Sequence, residues 1–262
     1  MILSQIIILY CLIFIIIKNY KELFLVYLVG AGPGDIELFT LKAVNILKKA
    51  DVILYDALVN EEFTQFCKKD SLKINVGKRK GHHIKNQDEI NELLIKYAKQ
   101  KDVVVRLKGG TPFVFGRGYE EVKALKKIGI TPIIISGVSS TTSVPESFMI
   151  PSIDRSFSDS YRTITGHDLE IFNEIVTSYH KRENLIIMMG AYKAKQIVEC
   201  LLKKGFPSST PIAYLSKGTT KDEKCLLFTL EEVSKKDDDF FEELKELTPI
   251  ITYVGETIKA SY

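Results

Sequence analysis

The sequence has 262 residues, of which 45% are hydrophobic and 26% are charged, as in an ordinary globular protein. This length suits one large domain or two smaller ones, each with its own hydrophobic core. The formal net charge of +3 gives no indication of binding to nucleic acid, which usually requires a pronounced basic excess. The four cysteines form no CxxC pair and the four histidines lack zinc-ligand spacing, so we expect reduced thiols and no metal.

Residues 1–24 differ from the rest of the chain. They include twelve consecutive apolar residues, Ile6–Ile17. This run is short for a membrane span and has the length of a signal-peptide core, although the usual basic segment before it is absent. We expect a targeting or anchoring segment, hence an organelle or a membrane-associated site, and any membrane contact would be made only here. The alternative is a fortuitous extension of a cytoplasmic protein.

From Leu23 to Gly137, apolar runs alternate with amphipathic segments. The apolar runs predict strands at Leu23–Gly30, Asp51–Asp56, Asp102–Leu107 and Thr131–Gly137. The amphipathic segments predict helices at Thr40–Ala50, Gln87–Gln100 and Gly118–Gly129. Thr40 is the expected N-cap of the first helix, in which Leu41, Val44 and Leu47 would share the buried face.

A similar pattern follows a stretch with two prolines, Val144–Ser156. Strands are predicted at Tyr161–His167, Asn184–Gly190, Thr210–Ser216 and Pro249–Gly255, with a helix near Lys193–Lys204 and a solvated helix and loop at Glu231–Glu246. We therefore predict an α/β protein with two α/β domains, 25–145 and 146–262, largely parallel sheets, and a ligand in the cleft between the domains.

The first glycine loop, "VGAGPGD", does not fit a dinucleotide site. Gly30, Gly32 and Gly34 give G-x-G-x-G instead of G-x-G-x-x-G, and Pro33 removes one backbone amide. Thr40 is too far from Gly34 for the helix to begin at the loop. An oxidoreductase that binds a dinucleotide is therefore disfavoured.

The second glycine loop, "RLKGGTPFVFGRG" (Arg106–Gly118), combines four glycines with three basic residues. It follows a different strand of the predicted parallel sheet, and the carboxyl ends of neighbouring parallel strands share one crevice. Bare backbone there could pair with a ligand's polar atoms while Phe113–Phe115 offer apolar contact. The alternative is a mobile surface loop.

Together with "YDALV", "VGKRKGHH" and "GTT" (Gly218–Thr220), these two loops resemble the tetrapyrrole methylase family. The resemblance runs from about Val26 to Gly255 and is strongest to members that methylate uroporphyrinogen III. It implies two α/β domains, S-adenosylmethionine as methyl donor without a metal, and a homodimer. It also implies C-methylation of uroporphyrinogen III to precorrin-2, in the sirohaem and corrinoid branch of tetrapyrrole biosynthesis.

The resemblance also implies roles for individual residues. Asp56 would accept a proton and Lys78 would donate one. Partial burial would make a carboxylate a better base, but Asp56 could instead cap a turn and Lys78 could be a salt-bridge partner. The methyl donor would be bound by Pro33, Gly109, Gly110, Thr111, Val114, Ser139, Ser140, Met189 and Gly218. Structural alternatives are tight turns for the glycines, helix capping for the serines and a core position for Met189.

The substrate's carboxylates would be met by Arg106, Arg117, Arg155 and Arg162, since arginine forms bidentate contacts with carboxylate. The lysines and histidines of "GKRKGHH" could add positive charge opposite the substrate's carboxylates, or they could form a solvated run of charged residues.

The chain departs from the family pattern at four positions: the family usually has Asp at Thr111, Arg at Ala57, Gly at Tyr119 and His at Asp154. These departures motivate one alternative, a degenerate, non-catalytic tetrapyrrole-binding protein. A separate alternative keeps the fold and changes the substrate, as in a later corrin-ring methylase or an RNA methylase.

Overall fold

The computed structural model describes residues 25–77 and 86–261, so the predicted targeting segment and Lys78 lie outside the described residues. By its contacts the chain divides into two compact units. Among the described residues, unit 1 contains 25–32, 36–77 and 86–138, and unit 2 contains 33–35 and 139–261. This division falls before the predicted boundary at residue 145, because Val144 packs in a hydrophobic cluster with Ile186 and Tyr253.

Unit 1 is a parallel sheet covered on both faces. Its strands are β1 (Leu25–Gly30), β2 (Val52–Tyr55), β3 (Leu72–Asn75), β4 (Val103–Lys108) and β5 (Ile133–Ile135), in the order β3-β2-β4-β1-β5. Its helices are α1 (Leu41–Leu47), α2 (Gln87–Ala98) and α3 (Gly118–Lys127), with short 3-10 helices at Ile36–Leu38 and Glu61–Phe66. All four strand pairs are parallel, as predicted.

The period-two alternation of the strands divides unit 1 into two hydrophobic clusters. Val105 and Leu107 of β4 pack on one face, in the cluster that includes Leu47 of α1. Val104 packs on the other face with Leu94 of α2 and Leu125 of α3. Side chains at even positions of β4 therefore point toward α2 and α3.

Helix α1 begins where the sequence predicts. The Thr40 hydroxyl accepts a hydrogen bond from the amide of Ala43 at 3.2 Å, which satisfies one of the free donors of the first turn. The buried residues are Ala43 and Leu47, four positions apart, whereas Leu41 is 84% exposed. The prediction that Leu41 faces inward is wrong, because the helix turns that position toward solvent.

Unit 2 contains a mixed sheet. Its strands are β6 (Ser160–Thr165), β7 (Glu183–Met188), β8 (Pro211–Ser216), β9 (Lys224–Thr229) and β10 (Ile250–Val254), in the order β6-β7-β10-β8-β9. Its helices are α4 (Ser140–Ser147), α5 (Leu169–Ile175), α6 (Ala194–Lys203), α7 (Leu230–Ser234) and α8 (Asp238–Glu246), with 3-10 helices at Ala191–Lys193 and Glu256–Ser261.

Only β6 and β7 of this sheet are parallel, and the other three pairs are antiparallel. The prediction of a largely parallel sheet is therefore wrong for unit 2. A short connection joins β8 to β9, and a short connection permits only an antiparallel neighbour.

In the part of the chain that the structure describes, no helix has both the length and the apolar character needed to cross a membrane.

Candidate active site

The loops that follow neighbouring strands of unit 1 pack backbone against backbone. A Cβ atom on Gly30 would lie 2.4 Å from the nitrogen of Gly137 and 2.5 Å from the oxygen of Gly110. Gly32 and Gly110 exchange two backbone hydrogen bonds, of 3.2 and 2.7 Å. Both have positive φ angles, 79° and 62°, which favour glycine. The two glycine loops thus lie side by side, as predicted, and much of their bare backbone serves this contact.

Gly109 is different from these glycines. A Cβ atom on Gly109 would meet only the Cβ of Leu58, at 3.8 Å. Packing within unit 1 therefore leaves room for a side chain at Gly109. This open position directly after β4 is compatible with a ligand that approaches the backbone.

Asp56 lies directly after β2, at the same edge of the sheet. Its backbone amide donates to the carbonyl of Leu107 at 3.2 Å, which fixes it beside β4. Its side chain is 29% exposed, and its Oδ1 accepts a hydrogen bond from Nη2 of Arg106. The Nζ atom of Lys108 lies 3.9 Å from the other carboxylate oxygen. The end of β2 therefore presents this partly exposed carboxylate at the edge of the sheet, with two buried cations beside it.

The two cations reach Asp56 from inside the protein. Arg106 and Lys108 occupy alternate positions of β4 on the face that α3 covers, and each is only 2% exposed. Glu121 of α3 is fully buried, and its Oε1 accepts from Nε of Arg106 at 2.8 Å and from Nζ of Lys108 at 3.0 Å. We call Asp56, Arg106, Lys108 and Glu121 the charge cluster.

The prediction that Arg106 binds a substrate carboxylate is not supported by this geometry. Its guanidinium is held by two protein carboxylates and by backbone carbonyls, including that of Leu107 at 3.0 Å. Strand alternation turns the side chain into the interior, where it supports Asp56 instead of meeting a ligand.

Burial and neighbouring charge act differently on the two cations. Burial opposes the charged form of Arg106, but the carboxylates of Glu121 and Asp56 outweigh it and raise the pKa of the guanidinium. Burial and the nearby charge of Arg106 together lower the pKa of Lys108, although both carboxylates act in the other direction. Lys108 is thus the cation of the cluster that is held less firmly in its charged form.

The other predicted substrate arginines are nearer the surface. Arg117 precedes α3, has a 57% exposed side chain and pairs with Glu120 at 2.7 Å. Arg155 is exposed in the loop before β6. Arg162 of β6 pairs with Glu183 at 2.7 Å and donates to the carbonyl of Ile175 at 2.9 Å, so its guanidinium is already partly occupied.

Lys78, the predicted proton donor, lies outside the described residues. Gly77, which precedes it in the sequence, packs against the residue after Asp56: a Cβ atom on Gly77 would lie 2.1 Å from the nitrogen of Ala57. The end of β3 and the end of β2 are thus in direct contact.

In unit 1, the remaining predicted donor-binding residues follow Gly110. Thr111 is half-buried and Val114 is 42% exposed. Phe113 and Phe115 beside Val114 are exposed to a similar degree, and Phe113 makes an edge contact with Tyr119. The loop therefore carries the exposed apolar surface that the sequence indicates.

In unit 2, Pro33 and Gly218 belong to two segments that touch. The amide of Asp35 donates to the hydroxyl of Thr219 at 3.3 Å, and a Cβ atom on Gly34 would lie 2.6 Å from Cγ2 of Thr220. Gly218 itself is closely covered by Val144, whose Cγ1 would be 2.5 Å from an added Cβ atom. Tight packing therefore accounts for this glycine.

The two predicted serines lie at the beginning of α4. Ser139 is the N-cap and its hydroxyl accepts from the amide of Thr141, which is the capping role considered as an alternative. Ser140 is the first residue of the helix.

Met189, directly after β7, is not a core residue. Its side chain is 47% exposed and its φ angle is 58°, an uncommon conformation for a residue with a side chain. Strained backbone of this kind is frequent at ligand-binding positions.

The role of Glu121 was not predicted from the sequence. It lies in "GYEEVKALKK", where it reads as one half of an acidic pair at the beginning of a helix. The available signal was helical spacing: Glu121, Val122 and Leu125 form one stripe, and this stripe is buried.

The chain is similar to known proteins over most of its length. The family profile described as Tetrapyrrole (Corrin/Porphyrin) Methylases matches residues 25–234. A protein of Methanobacterium ivanovii named uroporphyrinogen-III C-methyltransferase is 45% identical over 213 residues, which cover 81% of this chain and 91% of the relative. A siroheme synthase of Acinetobacter baylyi is 38% identical over 235 residues, which cover 89% of this chain and 50% of the relative.

A solved structure has the same fold. It is the crystal structure of uroporphyrin-III C-methyl transferase from Thermus thermophilus complexed with S-adenyl homocysteine. The similarity has a TM-score of 0.72 at 32% sequence identity and covers 90% of this chain and 99% of the other.

Proposed function

Because the chain belongs to the family of tetrapyrrole (corrin/porphyrin) methylases, we propose that it transfers methyl groups from S-adenosylmethionine to carbon atoms of uroporphyrinogen III. Two transfers would give precorrin-2, from which sirohaem and corrinoids derive. The names of the Methanobacterium relative and of the Thermus structure support the reaction, and the S-adenyl homocysteine of the latter supports the donor.

The observation that carries the proposal is the partly exposed carboxylate of Asp56 at the end of β2. In this reaction a pyrrole carbon attacks the methyl group, a carbon–carbon bond forms, and the bond between the methyl group and sulfur breaks. The ring nitrogen must then lose its proton, and a carboxylate held at a fixed position can take it. Asp56 is the residue that accepts this proton, and Lys78 is the proposed proton donor.

The donor would be bound by the residues that the resemblance implies. In unit 1 the open backbone at Gly109 and the exposed Val114 fit this role. In unit 2 the strained, exposed Met189 fits it, since a thioether is a polarizable apolar surface for a flat ring. Gly110, Thr111, Pro33, Ser139, Ser140 and Gly218 complete the proposed set.

Substrate carboxylates would meet Arg117 and Arg155, whose side chains are exposed. Arg162 could join them by exchanging Glu183 for a substrate carboxylate. Ala57 and Asp154 stand where the family usually has basic residues, so these arginines would carry a larger share of the recognition.

Assembly as a homodimer and a targeting role for residues 1–24 are further proposals. A sedimentation measurement of the purified protein tests the dimer, and localisation of the protein with and without residues 1–24 tests the targeting role.

The proposed function is tested by incubating the purified protein anaerobically with uroporphyrinogen III and isotope-labelled S-adenosylmethionine. We expect a product that carries two labelled methyl groups, identified by its mass. An Asp56→Asn variant should bind the donor with unchanged affinity by calorimetry while turnover falls about 10²- to 10⁴-fold, the usual contribution of a positioned base.

A panel that adds later corrin intermediates and ribosomal RNA separates the alternatives. Transfer to one of these but not to uroporphyrinogen III would replace the proposed substrate. Donor and tetrapyrrole binding without any transfer would indicate a non-catalytic binding protein.

A further inference from the structure

The charge cluster contains a carboxylate that the proposed reaction does not use. Glu121 is fully buried, and its nearest partners are Arg106 Nε at 2.8 Å, Lys108 Nζ at 3.0 Å and the side-chain amide of Gln87 at 3.5 Å. All three contacts are made by Oε1. Among the described residues, Oε2 has no hydrogen-bond partner. Glu121 and Asp56 are linked through Arg106 and Lys108, because each of these cations pairs with both carboxylates.

Each cation is shared in a fixed geometry. Arg106 uses Nε for Glu121 and Nη2 for Asp56. Because a guanidinium is a rigid plane, the hydrogen bond from Nε to Glu121 also fixes the direction in which Nη2 points toward Asp56. Lys108 lies 3.0 Å from Glu121 and 3.9 Å from Asp56. Glu121 thus anchors both cations at the inner side of the cluster.

The charges also affect the chemistry of Asp56. A neighbouring cation favours the charged form of a carboxylate and makes it a weaker base. Asp56 and Glu121 are both paired with the two cations, Arg106 and Lys108. The negative charge of Glu121 offsets one of them.

We propose that Glu121 is a positioning residue for the proton transfer at Asp56, because it orients Arg106 and Lys108 and offsets part of their charge beside the outer carboxylate. This inference rests on the proposed function, in which Asp56 accepts the proton. It assigns to a buried residue of α3 the orientation of the two cations that contact Asp56.

The groups that face Asp56 from the packed elements are few within the described residues. Strand β4 contributes Arg106 and Lys108, and α3 contributes Glu121. Further charges act on the inner members of the cluster: Glu120 interacts with Lys108, and Arg117 interacts with Glu121 and with Asp88 of α2. Residues 78–85, which include two histidines and basic residues, lie outside the described chain and are the same in all the variants compared below.

The test is the pH dependence of methyl transfer in three variants. Glu121→Gln keeps the size of the side chain and the acceptor Oε1, and its new amide nitrogen replaces an oxygen that makes no hydrogen bond. We expect the acidic limb of its pH–rate profile to move to lower pH by about one unit, with a lower maximal rate, because the negative charge that offset the two cations beside Asp56 is gone. Lys108→Met removes one cation, and its acidic limb should move to higher pH. The double variant should return near the parent position.

Exposed Glu92 of α2 offers the matched control, because Glu92→Gln removes one negative charge without touching the cluster. Its acidic limb should coincide with that of the parent. Thermal unfolding and donor affinity are measured for every variant, so that loss of folded protein is not read as loss of rate. If Glu121→Gln does not fold, the single Lys108→Met variant and the double variant still decide the question.

Opposite shifts with recovery in the double variant support the inference, since a purely structural ion pair would change stability without moving the limb in either direction. Unchanged limbs in folded, active variants overturn the inference alone. Absence of methyl transfer by the parent protein at every pH overturns the proposed function, and this inference with it.

Discussion

At the scale of single residues, two arginines that look alike in the sequence differ in burial and in their partners. Arg106 and Arg117 belong to the same glycine loop, but Arg106 is 2% exposed between two carboxylates, whereas the Arg117 side chain is 57% exposed beside one. Their substitutions should therefore have different consequences.

We expect Arg106→Ala to lower the free energy of unfolding by about 3–5 kcal/mol, because it leaves buried Glu121 without its closest cation. Arg117→Ala, the matched control, should change it by no more than about 0.5 kcal/mol, as is usual at the surface. Urea unfolding of both variants measures the difference. Losses of equal size would contradict the burial of Arg106.

Two glycines at the same sheet edge allow a similar comparison. Gly109→Ala adds a methyl group where only Leu58 lies within 4 Å, so the protein should fold normally. If the donor lies against this backbone, its affinity should fall by about 1–3 kcal/mol, or roughly ten- to a hundredfold, measured by calorimetry.

Gly30→Ala is the counterpart, because its methyl group would overlap the backbone of Gly110 and Gly137. We expect a poorly folded or markedly destabilised protein. Parent-like donor binding by Gly109→Ala would place the donor elsewhere on the loop.

At the scale of helices and strands, capping decides where α1 begins. Thr40→Ala removes the acceptor for the amide of Ala43 and should lower the free energy of unfolding by about 1 kcal/mol. Thr40→Ser keeps the hydroxyl and should restore most of this loss. Thermal and urea unfolding measure both, and identical behaviour of the two variants would argue against the cap.

Local patterns were sufficient for eight of the ten strands in the described residues, including the edge strands β5 and β6, and insufficient for the other two. The apolar runs of β1, β2 and β4 and the cap of α1 are properties of short segments, and they predicted those elements. Strands β3 and β9 were not predicted: β3 reads "LKIN", with only two apolar residues, and the short apolar run of β9, "KCLLFT", follows the charged segment "KDEK". The direction of the strands in unit 2 depends on connections that periodicity does not specify.

The candidate site was predictable to the extent that it follows chain order. Asp56 and the glycine loops are placed by the ends of parallel strands, a rule that the sequence alone can use. The orientation of Arg106 and Lys108 depends on which face α3 covers, so a basic loop residue expected to face a ligand lies inside instead. Glu121 could be assigned a role only after its two partners were located.

At the scale of the whole molecule, stability at high pH depends on buried tyrosines of unit 2. Burial raises the pKa of Tyr253 to about 12. Its hydroxyl donates to the carbonyl of Pro151 at 3.1 Å and shares a 2.8 Å hydrogen bond with Thr257. Burial raises the pKa of Tyr214 as well.

A tyrosine whose pKa in the folded protein exceeds the ordinary value of 10 contributes its full stabilisation of the folded state below pH 10. Above that pH the unfolded chain loses the proton first, so stability is lost as the pH rises from 10 to 12. For Tyr253 the total is about 2–3 kcal/mol. Tyr253→Phe should be less stable than the parent by about 1 kcal/mol at pH 7, and should lose less stability between pH 10 and 12.

Thr257→Val serves as the control, because it removes the hydrogen bond between the two hydroxyls but leaves the titrating phenol. It should match Tyr253→Phe at pH 7 and retain the alkaline loss of the parent. Parallel stability curves for all three proteins would show that Tyr253 does not titrate in this range.

The charge cluster has a consequence for how this sequence can diverge. Each of its four side chains contacts or faces an opposite charge, so a neutral replacement at position 106, 108 or 121 leaves an odd charge buried in the interior. A lineage could reach an uncharged version only through an intermediate that is less stable or works at a different pH. We therefore expect positions 108 and 121 to change together among relatives. A relative that is neutral only at position 121 should be active at lower pH, and one that is neutral only at position 108 should require higher pH.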